Sequence, residues 1–160
     1  MPGIDSVVSV QNFFNRTTVY LSHDGTVWAW GQNGCGELGN GSYEDSATPV
    51  RVSNLSDIVQ ISAKYDFNLA LGSDGRVWFW GFRGKGENGA FMCQNVPVMV
   101  AGIGNAVDIY AAFESLVKTE TGDYFLFRAD DYSLQPVPLP RQPRYLAERA
   151  LVSSDRVRSP

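Results

Sequence analysis

Two copies of one eight-residue stretch constrain this chain more than any other feature. Asp24-Gly25-Thr26-Val27-Trp28-Ala29-Trp30-Gly31 returns as Asp74-Gly75-Arg76-Val77-Trp78-Phe79-Trp80-Gly81, and the two copies hold all four tryptophans. A diverged third copy reads Thr121-Gly122-Asp123-Tyr124-Phe125-Leu126-Phe127-Arg128. The turn glycine keeps its place there, and Phe125 and Phe127 stand at the Trp positions. Gly25 to Gly75 is 50 positions and Gly75 to Gly122 is 47. A near-constant period of that size specifies a stacked-repeat architecture: a solenoid, a propeller or an array.

The physics of one copy predicts a hairpin. Asp-Gly is a strong hairpin signal, because glycine accepts φ > 0 without strain. The run after it alternates, with Val27, Ala29 and Gly31 on one side and Thr26, Trp28 and Trp30 on the other. An apolar run precedes each turn: Val19-Tyr20-Leu21, Leu69-Ala70-Leu71 and Leu116-Val117. Earlier in each repeat lies another apolar run, at Val7–Val10, Ile58–Ile61 and Val107–Tyr110. After the hairpin comes a glycine-rich loop, Gly31–Gly41 in the first repeat and Gly81–Gly89 in the second. A proline-bearing edge segment closes each repeat, at Thr48–Val52, Val96–Val100 and Gln135–Leu139, since proline removes one ladder donor. Four short strands per unit make one propeller blade. The expected fold is therefore all-β: a partial β-propeller of three four-stranded antiparallel blades, with a short C-terminal helix. The three repeats fill residues 1–140, at about 4–55, 56–103 and 104–139. Residues 141–160 form a basic tail with five arginines and two acids, in which 143–152 reads as a helix.

These motifs resemble a known family. Trp-x-Trp-Gly, then x-x-x-Gly-x-Gly-Glu-Leu-Gly-x-Gly, x-Pro-x-x-Val, Val-x-x-Ile-x-Ala and Leu-Ala-Leu-x-x-Asp-Gly are similar to the regulator of chromosome condensation repeat. The resemblance covers residues 4 to 139 and implies a β-propeller, usually of seven blades. The chain departs from it where family repeats carry Gly and His before the Leu-Ala-Leu strand: Phe14 and Thr17, Lys64 and Phe67, Ala111 and Glu114 stand there. Arg128–Tyr132 replaces the glycine-rich loop of the third repeat. Three repeats fall short of the four to eight blades of a closed ring, and open blade edges invite pairing. A homo-oligomer, a partner protein or the tail would cover them.

The resemblance implies a non-enzymatic protein–protein interaction module. Family members include a nucleotide exchange factor for a small GTPase and bacterial inhibitors of secreted enzymes. By analogy, the first reading is an inhibitor or immunity-type antagonist whose partner is a toxin or enzyme. The alternatives are an exchange-factor-like regulator of a small GTPase and a structural propeller fragment that completes a ring by oligomerisation.

Composition narrows the classes. Thirteen basic and 17 acidic residues give a net charge of −4, which argues against a general phosphate-binding surface and a nucleic-acid partner. The start of the chain shows no basic and apolar leader pattern, and no apolar run is long enough to span a membrane. The expected location is cytoplasmic. Cys35 and Cys93 sit at different offsets in their repeats, so two unpaired thiols are expected, with a disulfide or metal bridge as the alternative. His23, the only histidine, is placed in a turn with no nucleophile–acid context. No metal-ligand spacing is present. Gly34, Gly36 and Gly39 imitate a dinucleotide loop but precede no helix. No catalytic residue, cofactor or metal site is expected, and Glu44-Asp45 and Asp130-Asp131 read as solvated loop charges.

The tryptophans recur at fixed blade positions, so packing between blades is their expected role. Binding is expected where the repeats differ at one structural place. The connection before each hairpin is such a place, and it carries Phe13, Tyr65, Asp66, Phe67, Phe113 and Glu114. The loop aromatics Tyr43, Phe82 and Phe91 are the second set of protein-binding candidates.

Overall fold

The computed structural model describes residues 7–13, 17–64, 66–86, 88–112, 114–128 and 136–139. Its strands form three four-stranded antiparallel sheets in chain order. The first blade holds β1 (Val7–Phe13), β2 (Thr17–Ser22), β3 (Val27–Gly31) and β4 (Ser46–Arg51). The second holds β5 (Ile58–Lys64), β6 (Phe67–Gly72), β7 (Val77–Lys85) and β8 (Phe91–Met99). The third holds β9 (Ala106–Tyr110), β10 (Glu114–Thr119), β11 (Tyr124–Arg128) and β12 (Val137–Leu139). Within each sheet, every strand pairs with the next one along the chain. No helix occurs among the described residues. The expected helix at 143–152 lies outside them.

The repeated Asp-Gly makes the hairpins in a specific way. Gly25 N–H donates to the Ser22 carbonyl at 3.0 Å, and Ser22 N–H donates to the Thr26 carbonyl at 2.9 Å. The turn therefore runs Ser22-His23-Asp24-Gly25, with glycine as its last residue at φ 76°. This is a three-residue loop closed by a left-handed glycine, not a two-residue turn centred on Asp-Gly. Asp24 Oδ1 accepts from Thr26 N–H at 3.0 Å and holds the corner. The turns at Gly75 and Gly122 repeat the two backbone bonds.

The cores lie between the sheets. One face of the first blade (Val19, Leu21, Val27, Ala29) packs on Ile58, Ile61, Ala70 and Trp80 of the second. The same face of the second blade (Leu69, Leu71, Val77, Phe79) packs on Ala106, Ile109 and Val117 of the third. Fully burying one such side chain stabilises the fold by about 1.5–3 kcal/mol, so the two seams hold the three sheets together. Backbone bonds add a belt across each seam: Ile58 N–H to the Gly25 carbonyl, 3.1 Å, and Ala106 N–H to the Gly75 carbonyl, 3.1 Å. The first strands of successive sheets touch, β1 with β5 and β5 with β9, so the blades fan from that side. Each first strand bulges at one valine, Val8, Val59 or Val107, which its register skips. All three valines are exposed. The bulge, invisible in the alternation pattern, is a repeated feature of the blade.

Two expectations are corrected here. Cys35 and Cys93 are not free thiols; they form a disulfide with Cα atoms 4.9 Å apart. The bridge was hidden in the sequence because it joins the loop of one blade to the last strand of the next, at unequal repeat offsets. The two glycine-rich stretches also differ in form. The first is a loop, whereas the second, from Gly81 to Lys85, continues β7 and pairs with β8.

Candidate protein-interaction site

The first glycine-rich loop is built around Asn33, which is fully buried. Its Nδ2 donates to the carbonyls of Ser42 and Glu44, both at 3.0 Å, and its Oδ1 accepts from Leu38 N–H at 2.9 Å. The loop then lies over the second blade. Leu38 enters the seam core, and the Glu37 carbonyl accepts from Trp80 Nε1 at 2.9 Å and Asn68 Nδ2 at 3.0 Å. Gly36 meets the Asn95 backbone so closely that an added Cβ would stand 2.4 Å from its Cα. Gly41 N–H donates to the Asn95 carbonyl at 2.8 Å. Gly34, Gly36 and Gly39 thus serve turns and close packing, and the run leads into no helix.

The second stretch lacks both side-chain anchors of the first. Fifty positions on, Arg83 replaces Asn33 and Asn88 replaces Leu38. Arginine cannot accept the loop's backbone N–H, and asparagine supplies no apolar anchor. The segment instead lengthens β7 and β8 to nine residues each. Their far ends carry Phe82 edge-on to Phe91 at 5.7 Å, with Lys85 Nζ 5.3 Å from the Phe91 ring centre. Phe91 is 68% exposed. An exposed phenylalanine backed by a half-buried one beside a cation is a composition typical of interface anchors.

A cavity of about 340 Å³ opens on the seam between the first two blades, lined by Thr17, Gln32, Gly34, Glu37, Asp45 and Asp66. Asp45 Oδ1 accepts from Asn33 N–H at 2.8 Å. Glu37 Oε2 accepts from Cys35 N–H at 2.8 Å. Burial pushes the Glu37 carboxyl above its usual range; backbone N–H groups oppose this, and the Asp66 and Asp45 carboxylates add to the push. Among the described residues no group of three His, Cys, Asp or Glu is placed to hold a metal.

The expected binding residues separate on this geometry. Asp66 is exposed at the cavity mouth. Phe67 is a correction: it is 4% exposed and packs on Phe79 at 5.6 Å. The alternation of β6 had no turn signal before it, so its first core residue looked like loop. Phe13 pairs with Thr17 at the end of β1, and Glu114 pairs with Arg128 at the start of β10. Tyr65 and Phe113 lie outside the described residues. Tyr43 is exposed. Phe82 and Phe91 meet on the hairpin. Sequence reasoning missed Asn33 and Glu37; the signal was the change Asn33/Leu38 to Arg83/Asn88 between repeats.

The regulator of chromosome condensation (RCC1) repeat profile matches residues 24–71, and a second profile of the same description matches residues 58–89. Residues 24–89 thus carry regulator of chromosome condensation repeats. Solved structures carry the same fold. Human WBSCR16 superposes with a TM-score of 0.70 at 21% identity, over 88% of this chain and 39% of that one. Yeast RCC1 (Prp20), solved with Kap60, gives 0.64 at 20% identity, over 86% and 38%. Prp20p from Saccharomyces cerevisiae gives 0.66 at 16% identity, over 94% and 48%. The chain thus spans less than half the length of these RCC1-type structures. Among the described residues no helix is long and apolar enough to cross a membrane.

Proposed function

We propose that this RCC1-repeat chain is a non-catalytic docking module that grips another protein through the tip of its second blade. The observation that carries the reading is the Phe82–Phe91 pair beside Lys85, raised on strands longer than those of the other blades. A fold of stacked repeats commits its strands to packing, so loops and tips do the recognition. The acidic mouth at Asp66, Glu37 and Asp45 would select basic groups on the partner and speed encounter. In its finer form the module is an antagonist that covers a toxin or enzyme. The alternative, a regulator of a small GTPase, is favoured by kinship of fold with Prp20p, a protein whose binding to Gsp1p and histones has been studied.

Affinity capture from the source cells, with the double variant Phe82→Ala/Phe91→Ala as the control, tests the reading. A partner retained by the wild type and lost by the variant, at equal thermal stability, is expected. Equal retention by both would place the site elsewhere.

A further inference from the structure

The Cys35–Cys93 bridge stands between the two parts of the proposed site. Cys35 lies on the first glycine-rich loop, and its N–H donates to Glu37 Oε2 at the acidic cavity. Cys93 lies on β8, directly opposite Phe82 of β7. Phe82 in turn meets Phe91 toward the end of the same hairpin. The bridge thus ties the loop that borders the cavity to the base of the aromatic tip.

Packing of the seam does not require this bridge. The chain has two cysteines, so the second seam holds without one; fifty positions after Cys35 stands Lys85. In the first seam the loop has its own fastenings on the second blade. Leu38 fills the core, and the Glu37 carbonyl accepts from Trp80 Nε1 and Asn68 Nδ2. Gly41 N–H donates to the Asn95 carbonyl at 2.8 Å, and Asn95 Nδ2 donates back to the Gly41 carbonyl at 2.9 Å. These bonds reach β8 at Asn95. Cys93 and Phe91 lie beyond it, toward the tip, where the β7–β8 register shifts between Phe82 and Lys85. A shift of this kind disrupts the ladder locally. There the bridge is the covalent tie to the first blade.

The bridge is also within reach of solvent. Cys35 and Cys93 are each half-buried rather than enclosed. Thiol–disulfide exchange needs access to a sulfur, and exposed bridges are the labile ones.

We propose that the Cys35–Cys93 bridge is a redox-operated latch on the tip of the second blade. Closed, it fixes the Phe82–Phe91 pair relative to the first blade. Opened in the folded protein, it frees the tip, while Leu38 and the Glu37 carbonyl keep the seam closed. The reductant is a dithiol. One of its thiolates attacks a sulfur of the bridge, forming a mixed disulfide and freeing one cysteine, which takes a proton; its second thiol then displaces the other cysteine. Two electrons pass from the dithiol to the bridge, and the dithiol leaves as a disulfide. The consequence for binding rests on the docking reading above: a tip that holds its docking form about a tenth of the time binds about tenfold more weakly.

Dithiothreitol on the native protein tests the latch without any partner. Alkylation and mass measurement should find two new thiols, with far-UV circular dichroism and a single thermal transition retained. At short labelling times, amide hydrogen exchange should rise across 82–93 and beside Cys35, and stay low across β2 and β6. Cys35→Ser with Cys93→Ser should reproduce the reduced pattern with no dithiothreitol present. A bridge that opens only in urea overturns the proposal; so does unchanged exchange across 82–93, or a reduction that unfolds the chain. A partner caught by affinity capture should bind the reduced protein and the double-serine variant about tenfold more weakly than the oxidised protein; equal binding by all three overturns the latch's control of docking. Full retention of the partner by Phe82→Ala/Phe91→Ala, with the exchange result intact, sinks the docking reading and leaves the latch standing.

Discussion

Trp80 donates its indole N–H to the carbonyl of Glu37, 2.9 Å away across the seam between the first two blades. One bond thus joins the repeat's most conspicuous residue to the loop that follows the same residue type one blade earlier. Loop and tryptophan stabilise each other: the loop covers the indole, and the indole shares the buried Glu37 carbonyl with Asn68 Nδ2. Trp80→Ala should therefore cost about 3–5 kcal/mol, as large-to-small changes in cores do. Trp30→Ala, on a half-buried face, should cost clearly less. Thermal melts of the two variants measure the difference, and equal losses would mean that the back of the first blade is as well packed as the seam.

Asn33 ties its loop with three side-chain bonds to backbone groups. Each is worth about 1 kcal/mol net, and stranded buried groups add about 1–3 kcal/mol. Asn33→Ala should lower stability by about 3 kcal/mol in urea unfolding. Arg83→Ala, at the matching position of the hairpin, should not show a loss of that size.

Reduction should loosen the same loop. The Cys35–Cys93 bridge closes a sequence separation of 58 residues, a loop whose closure is worth about 4 kcal/mol in the chain-entropy account. A native thiol assay should find no free thiol in the unreduced protein. Reductant, or Cys35→Ser with Cys93→Ser, should lower stability in urea unfolding by a similar amount.

The Glu37 carboxyl has a raised folded-state pKa because it is buried. Between the ordinary glutamate value and that raised value, the folded state binds more protons than the unfolded state. Stability contributed by this group is thus fully present below the window and falls as pH rises through it. Glu37→Gln keeps an acceptor for Cys35 N–H and removes the charge. The variant should gain on the wild type at pH 7 and lose that advantage by about pH 4, near the usual glutamate pKa. A difference between the two that does not change with pH would show the carboxylate to be solvated.

Phe91→Ser should leave Tm nearly unchanged, since exposed positions usually shift stability by no more than about 0.5 kcal/mol. Phe67→Ala should unfold the chain at markedly lower temperature, because Phe67 lies in the second seam. The reverse pattern would exchange the roles of the two aromatics.

What the sequence determined by itself is what repeats. Asp-Gly turns, the alternation of Val27, Ala29, Val77 and Phe79, and the proline-bearing last strands recur at fixed spacing, and local backbone physics turns each into the same strand or turn. The three-sheet architecture was legible for that reason. The tertiary structure alone decided whatever depends on a neighbour. Phe67 reads as loop until the Phe79 ring lies beside it. Cys35 and Cys93 show no common offset, because their bridge crosses from a loop of one blade to a strand of the next. The two glycine-rich stretches look alike, yet Asn33 and Leu38 fold one over the seam, while Arg83 and Asn88 let the other extend as a hairpin bearing Phe91. Periodicity records what every blade shares. The proposed function rests on where the blades differ, and only the packed seams show which differences leave a side chain in solvent.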